Sequence, residues 1–510
     1  MKRPSAYLIL PALLAGCQTL PSLEQRSESH YMDIAAAPRL ESALQPANAG
    51  AADQQQDTSG VYLLGDAHDA FVARATLIES ADYSLDVQYY IWHNDVSGNL
   101  LFNMLYRAAD RGVRVRLLLD DNNTNGLDNI LSALNSHPNI EIRLFNPFIT
   151  RKWRALGYLT DFPRLNRRMH NKSLTADNKA TIVGGRNIGD EYFNVGGNTI
   201  FADLDILATG HVVTEVSEDF DRYWASNSAY PLERIIKHPN IAKGFRQLDR
   251  IDPKKTDILN RYHTDLAHSE LLKAIKTNSV PLTQVKTELI SDAPAKGLAR
   301  DRNKPSIGEK LTNALQAPQH EIYLVSPYFV PTKSGTEALG KLVHDGVNVT
   351  VLTNSLQATD VAAVHSGYTR YRKPLLEAGV NLYELKPNHA VPKTRDRGLT
   401  GSSSTSLHAK TFIVDQERVF IGSLNLDPRS ARLNTEMGVV IKSPQIASDM
   451  QRTLVNTTPE YAYKVTLDRK NKLQWHDPET NETLKKEPEA GFWKRLTVKI
   501  LSILPIEGLL

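Results

Sequence analysis

Apolar positions in this chain follow two periods in turn, and the whole alternation occurs twice. Val61-Tyr-Leu-Leu-Gly-Asp66 opens a short strand, and an amphipathic helix through Ala73 and Ile78 follows it. Ser84-Leu-Asp-Val-Gln-Tyr-Tyr90 has the apolar content of a second strand. A helix then carries Leu100, Leu101, Met104, Leu105 and Ala108 at helical spacing and ends at Arg111-Gly112. Val113 to Leu119 begins a strand that stops at Asp120-Asp121. The plan restarts at Glu288-Leu-Ile-Ser-Asp292, with a helix from Ile307 to Leu315 and a strand from Glu321 to Val325. A helix ending at Asp345-Gly346 leads into Val347 to Leu352. Strands alternating with helices, joined by short Gly or Pro punctuation, predict an α/β sheet with helices on its faces. Gly112 and Gly346 are equivalent points 234 positions apart, so the repeated unit is a whole domain and not a short array.

The patterning sets the boundaries. Residues 61–236 and 287–460 are the two domains, and the charged stretch 237–286 is the expected linker. Residues 17–60 are polar and weakly periodic, as in a flexible tether, and 461–510 form a C-terminal extension. In that extension Phe492, Leu496, Ile500, Ile503 and Leu504 share one helical face, near Lys494, Arg495 and Lys499. Such a helix suits a membrane interface or the enzyme's own core. Residues 1–16 have the grammar of a signal peptide: Met1-Lys2-Arg3, an apolar run from Tyr7 to Leu14, then Ala15-Gly16. The run is shorter than the roughly 20 residues that cross a bilayer. Leu14-Ala-Gly-Cys17 resembles the bacterial lipobox, which implies lipidation of Cys17 and a lipoprotein anchored on the periplasmic side of the cell envelope. Gln18 instead of Asp after the cysteine implies the outer membrane in a diderm bacterium.

Composition narrows the chemistry. The 510 residues exceed one compact domain, and 41% hydrophobic with 23% charged residues is ordinary for a soluble globular protein. Lys and Arg number 60 against 57 Asp and Glu, a net charge of +3. That total lacks the basic excess of proteins that follow a nucleic-acid backbone, so no nucleic-acid partner is expected. A single cysteine excludes an internal disulfide and a Cys-rich zinc site.

Each domain ends in one constellation. The first has His170, Lys172, Asp177, Gly184 and Asn187; the second has His408, Lys410, Asp415, Gly422, Ser423 and Asn425. Lys follows His by 2, Asp by 7, Gly by 14 and Asn by 17 in both copies, and the histidines are 238 apart. A lone His-x-Lys is ordinarily a half-exposed strand pair, but two matching copies in register with a duplication carry chemistry. On a strand, positions i and i+2 share a face, so each His and Lys should emerge together, with Asp177 and Asp415 on the other face as ion pairs or turn caps. A neutral imidazole can attack phosphorus, while the ammonium groups and the Asn187 and Asn425 amides hold the non-bridging oxygens. Two halves folded across a pseudo-twofold axis would set the histidines on opposite sides of one phosphorus. Each acid–base role would contribute roughly 10²–10⁴-fold in rate.

H-x-K-x4-D followed by G-S-x-N, present twice, resembles the phospholipase D superfamily over residues 61–460. The resemblance implies two tandem phospholipase D-like α/β/α domains sharing one active site, no metal and no cofactor. It further implies that one histidine becomes a phosphohistidine while the other acts as acid, then base. By this analogy His170 is the nucleophile and His408 the acid. A downstream carboxylate is expected to orient each imidazole through its other ring nitrogen. Glu436, 28 residues after His408, fits in the second half, and aligning Asp203-Leu-Asp-Ile-Leu with Glu436-Met-Gly-Val-Val selects Asp203 as the counterpart in the first. The first copy reads Gly184-Gly-Arg-Asn187, so it lacks the equivalent of Ser423, and Arg186 is a candidate to supply the missing phosphate donor.

The superfamily motif leaves the substrate open among lipids and nucleic acids. Val87 to Asp95, Asn187-Ile-Gly-Asp-Glu-Tyr192 and Leu426-Asp-Pro-Arg-Ser-Ala-Arg432 are similar to strings of bacterial cardiolipin synthases. The resemblance implies membrane phospholipids as partners, with phosphatidylglycerol or phosphatidylethanolamine as donor. Cardiolipin synthesis is the leading expectation, phospholipase D hydrolysis the alternative, and a nuclease is disfavoured by charge. Arg429 and Ser430 would hold a second phosphate or cap their loop, and Tyr89, Tyr90 and Trp92 would line the entrance or pack in the core. Oligomeric state is left open.

Overall fold

The computed structural model describes residues 20–44, 57–196, 199–249, 256–300, 304–387, 404–505 and 507–510. The expected signal segment, residues 1–16, and Cys17 lie outside the described residues.

Hydrogen bonding links eighteen strands in a row whose two halves mirror each other about the central antiparallel pair Thr58–Leu64 and Thr283–Ser291. Outward from Thr58–Leu64 come Asp205–Gly210, Ala180–Gly184, Ser173–Ala176, Ser84–Tyr89, Arg114–Asp120, Ile140–Phe145 and Ala229–Pro231. From Thr283–Ser291 come Met437–Lys442, Arg418–Gly422, Thr411–Val414, Glu321–Val325, Asn348–Asn354, Asn381–Leu385 and Ala462–Leu467. Leu473–Asp477 and Glu482–Leu484 extend the second half by two further strands. In each half three strands bond in parallel, and in the first half they are buried on both faces, with the polar Asp86, Gln88, Arg116 and Arg143 among their apolar positions.

Helices cover both faces. In the strand Arg114–Asp120, Leu117 and Leu119 meet the helices Ala67–Ser80 and Val96–Asp110, whereas Leu118 points the other way, toward Phe220, Tyr223 and Trp224 of His211–Trp224. Asp66 and Asp95 cap the first two helices, and Ser306 with Glu309 forms a capping box on Ile307–Leu315. Gly112 and Gly346 take φ of 94° and 93°, which lets each helix turn directly into the next strand. Each half has its own apolar core, and a third core containing Val61, Val183, Ile206, Val285, Ile421 and Val439 lies between them. That shared core clamps the halves into a fixed relation.

Three expectations need correction. Residues 20–44 are not a free tether: the carbonyls of Ser27, Ser29 and His30 accept from Arg143, Arg116 and Arg114, at 2.6, 2.8 and 2.7 Å. Those arginines stand on the first sheet, and the strap satisfies donors that would otherwise be buried unpaired. The stretch 237–286 is not a mere linker either, because its helices bury Leu248, Tyr262 and Leu271 in the first core and its end enters the central strand Thr283–Ser291. The segment after 460 begins with a strand of the second sheet, the counterpart of Ala229–Pro231. Among the described residues no helix is long and apolar enough to cross a membrane.

Candidate active site

The histidines do not stand within strands, as the alternation predicted. Ser173–Ala176 and Thr411–Val414 begin just after Lys172 and Lys410. The backbone at each histidine instead bonds to the opposite half: His170 N donates to Thr435 O (2.9 Å), and His408 N to Ala202 O (2.8 Å). A second tie fixes the preceding residue. Met169 N donates to the Asp120 carboxylate (2.7 Å), and Leu407 N donates to Asn354 Oδ1 (2.9 Å), whose Nδ2 returns a bond to Leu407 O (2.9 Å). Asp120 and Asn354 end equivalent parallel strands and are 234 positions apart, the same offset as the two glycines. Sequence reasoning marked that strand end but missed its role; the shared offset was the signal.

Thr435 and Ala202 directly precede Glu436 and Asp203, so the cross-half pairing delivers each carboxylate to the other half's imidazole. His170 Nδ1 lies 2.7 Å from Glu436 Oε2, and His408 Nδ1 lies 2.5 Å from Asp203 Oδ2. Both expected carboxylates are present, but the pairing within each half suggested by the alignment is exchanged. With Nδ1 held, Nε2 is the nitrogen left for chemistry. Ser423 Oγ donates to Glu436 Oε2 (2.5 Å) and Ser430 Oγ to Glu436 Oε1 (2.8 Å), so both hydroxyls position the carboxylate. Where Ser423 would have its counterpart, Gly185 leaves no room: a Cβ there would stand 2.1 Å from Asp203 Oδ1. Gly184 and Gly422 likewise admit the neighbouring strand, at Asp205 and at Met437–Gly438.

Both histidines are only 6% exposed. Burial pulls the His170 imidazole down to about 4 and also lowers His408, despite the facing carboxylates, so each ring rests neutral. Burial pulls Lys172 down to about 7 and Lys410 to about 8, and each ammonium also feels the pair of carboxylates across the site. For Glu436 and Asp203 burial works against ionisation. The pull of His170 and Lys172 on Glu436, and of Lys410 and His408 on Asp203, outweighs it and keeps both carboxyls below their usual range. Lys172 Nζ donates to His170 O (2.5 Å), and Lys410 Nζ donates to His408 O and lies 3.2 Å from His408 Nε2. Lys410 also depresses Lys172, the mark of two cations sharing one cleft. An anion between them would relieve that repulsion.

The amides differ. Asn187 accepts from Ile91 N (3.1 Å) and donates to Tyr192 OH (2.9 Å), whereas Asn425 Oδ1 is buried with no partner, leaving its amide uncommitted. Tyr90 meets the His170 ring edge-on at 4.9 Å within the first half, whereas Tyr192 meets His408 at 5.3 Å across the halves. Tyr89 and Trp92 pack in the core instead. Asp177 accepts from the backbone N–H groups of Asp82, Tyr83 and Ser84, and Asp415 from those of Gln319, His320 and Glu321, so both are turn caps.

The substrate-binding candidates turn out otherwise. The Arg186 guanidinium is spent on Leu64 O, Gly65 O and Asp205, because burial demands partners for it there. The Ser430 hydroxyl is committed to Glu436. Arg429 bonds Asn166 and Leu509 O, tying the loop to the C-terminus.

Residues 75–224 and 311–457 match the family model described as cardiolipin synthase, phospholipase D-like domain. The chain is 48% identical to cardiolipin synthase C of Escherichia coli K12 over 480 residues, which cover 93% of this chain and 100% of that protein. It is 33% identical over 460 residues to an uncharacterized protein of Helicobacter pylori 26695, covering 88% and 89% of the two chains. The crystal structure of phosphatidylserine synthase from Haemophilus influenzae Rd KW20 superposes with a TM-score of 0.57 at 16% identity, over 92% of this chain and 99% of that one. That likeness speaks to the fold alone.

Proposed function

The chain belongs to the cardiolipin synthase family with phospholipase D-like domains, and from that premise we propose that it is a phosphatidyl transferase that makes cardiolipin from phosphatidylglycerol. His170 Nε2 attacks the donor phosphorus. The bond from phosphorus to the headgroup oxygen breaks, and His408, which takes up a proton once the anionic donor phosphate sits against it, gives that proton to the departing glycerol. A phosphatidyl group remains on His170. His408, now neutral, takes the proton from a primary hydroxyl of a second phosphatidylglycerol. That oxygen attacks phosphorus, the P–N bond breaks, and cardiolipin leaves. Lys172, Lys410 and the free amide of Asn425 hold the non-bridging oxygens through both steps. Phosphatidylethanolamine fits the donor role equally, with ethanolamine leaving in place of glycerol.

One observation carries this reading: each imidazole is aimed by a carboxylate from the opposite half, so two half-sites act as one centre. Location follows the same line. If Cys17 carries an acyl anchor, the strap bonded at Ser27, ten residues later, keeps the enzyme near the envelope membrane, since ten extended residues span at most about 35 Å. Purified enzyme given phosphatidylglycerol vesicles should yield cardiolipin and glycerol by mass spectrometry, and His170→Ala should yield neither. Phosphatidic acid as the sole product would mean that water is the acceptor and the enzyme is a hydrolase.

A further inference from the structure

Two helices far apart in sequence keep their apolar faces in solvent. Arg154–Leu165 buries only Leu165, and Phe492–Leu501 buries only Val498, which packs on Leu356 and Ala490. Trp153 and Leu159 are 63% and 83% exposed, and Trp493 and Ile503 are 75% and 78% exposed. Of the five tryptophans in the chain, Trp92, Trp224 and Trp475 are buried; the two in solvent sit one on each of these segments. Exposed apolar side chains gathered in this way mark an interaction surface, and scattered ones do not.

Both segments flank the histidine site. Asn166, just after the first helix, accepts from Arg429, and the same guanidinium donates to Leu509 O beyond the second. Arg429 stands on the short helix Pro428–Arg432 between Asn425 and Glu436. At the other rim Lys494 donates to Gln357 O (3.3 Å), near Asp360, which accepts from Tyr328 OH (2.8 Å). The charge differs between them. In the first segment Arg151 and Arg154 are paired with Asp121 and Asp128, and Arg164 with Asp161, which leaves Lys152 as its exposed cation. Residues 491–505 contain Lys494, Arg495 and Lys499 and no carboxylate, so over a chain whose two signs nearly balance this second edge is locally cationic as well as apolar.

We propose that the two helices form a docking surface for an anionic phospholipid bilayer, which brings the shared site down to headgroup level. Tryptophan prefers the boundary between headgroups and acyl chains, and cations around an apolar face add attraction to anionic lipid. The identity of the occupant rests on the phospholipid substrate proposed above; the exposed faces and their charge do not.

Full-length protein carrying Cys17→Ser, which cannot be acylated, should sediment with vesicles containing phosphatidylglycerol and bind pure phosphatidylcholine more weakly. Its tryptophan emission should shift to the blue, and Trp153→Phe with Trp493→Phe should remove the shift. Leu159→Glu and Ile503→Glu should each weaken vesicle binding by about tenfold or more. Both should leave the circular dichroism and the turnover of monomeric dihexanoyl phosphatidylglycerol unchanged. Wild-type binding by both variants, or no vesicle binding by the parent, would overturn the proposal. So would a dimer in lipid-free solution that these variants abolish, since a second copy would then cover the face. Normal docking without cardiolipin formation would leave the surface standing and sink the transferase instead.

Discussion

Lys172 and Lys410 are buried ammonium groups a few ångströms from neutral imidazoles, and their titration governs when the site can bind an anion. Lys172 at about 7 and Lys410 at about 8 lose their charge just above neutrality, while His170 gains a proton only near 4. kcat/KM should therefore rise as pH climbs through about 4 and fall as it passes from about 7 to 8, the limbs belonging to the coupled site and not to single residues. Lys410→Arg keeps its charge and should move the alkaline limb; a limb that stays put would mean that another group sets it. Stability has its own sign. An unfolded lysine titrates near its ordinary 10.5, so between about 7 and 10.5 the unfolded chain binds more protons. Stability should consequently rise across that window as the buried ammonium groups become neutral, and urea melts at pH 7 and pH 9 would check it. At this scale the motif residues were legible, because His, Lys, Asp, Gly and Asn recur at equal offsets. Spacing says nothing about burial, and the buried Arg186 guanidinium is committed to two carbonyls and a carboxylate.

Turns between strands show how the third motif residue acts without touching substrate. Asp177 accepts three backbone N–H bonds of 2.7 Å each and is fully buried, while Asp415 makes the same bonds nearer solvent. Each holds its chain at positive φ, 53° and 51°, where Asp and Asn are tolerated best. Asp177→Ala strands three donors and should cost about 2–4 kcal/mol in urea melts. Asp415→Ala should cost less, because water can replace its carboxylate. The folded fraction of each variant should keep kcat within about twofold, a result a catalytic aspartate would not give. Helices and parallel strands were the readable elements: Ile307–Leu315 has the predicted bounds, and glycine marks each helix-to-strand turn. The strap from residue 20 was unreadable, because its sequence is polar and its worth lies in backbone carbonyls that meet arginines 84 to 116 residues away. The His-x-Lys segments also misled. Their alternation suits a strand, yet their backbone pairs with the other half.

Taken whole, the molecule is a duplicated domain whose halves are functionally inseparable, and the duplication was plain in the sequence while the exchange of carboxylates was not. Offsets along the chain give each copy its parts, but only the central strand pair and the shared core decide which imidazole meets which carboxylate. The exchange has kinetic consequences. Glu436, although in the second half, should serve His170, the nucleophile proposed above, and Asp203 should serve His408. A phosphatidyl donor with a p-nitrophenyl leaving group needs no acid to depart, so it isolates the attack by His170. With this donor His408→Ala should release one equivalent of p-nitrophenol in a burst and then stall as a phosphoenzyme, since no base remains to activate the acceptor. Asp203→Asn should do the same more mildly, because its imidazole is present but poorly oriented. Glu436→Gln should instead slow the burst itself, by roughly 10²–10⁴-fold if orientation of the nucleophile carries the usual share of catalysis. Pairing within each half would reverse the two carboxylate phenotypes: Glu436→Gln would stall after a fast burst, and Asp203→Asn would lose the burst. Burst amplitude and rate in these three variants therefore test the crossed architecture directly, using only the order in which bonds to phosphorus form and break.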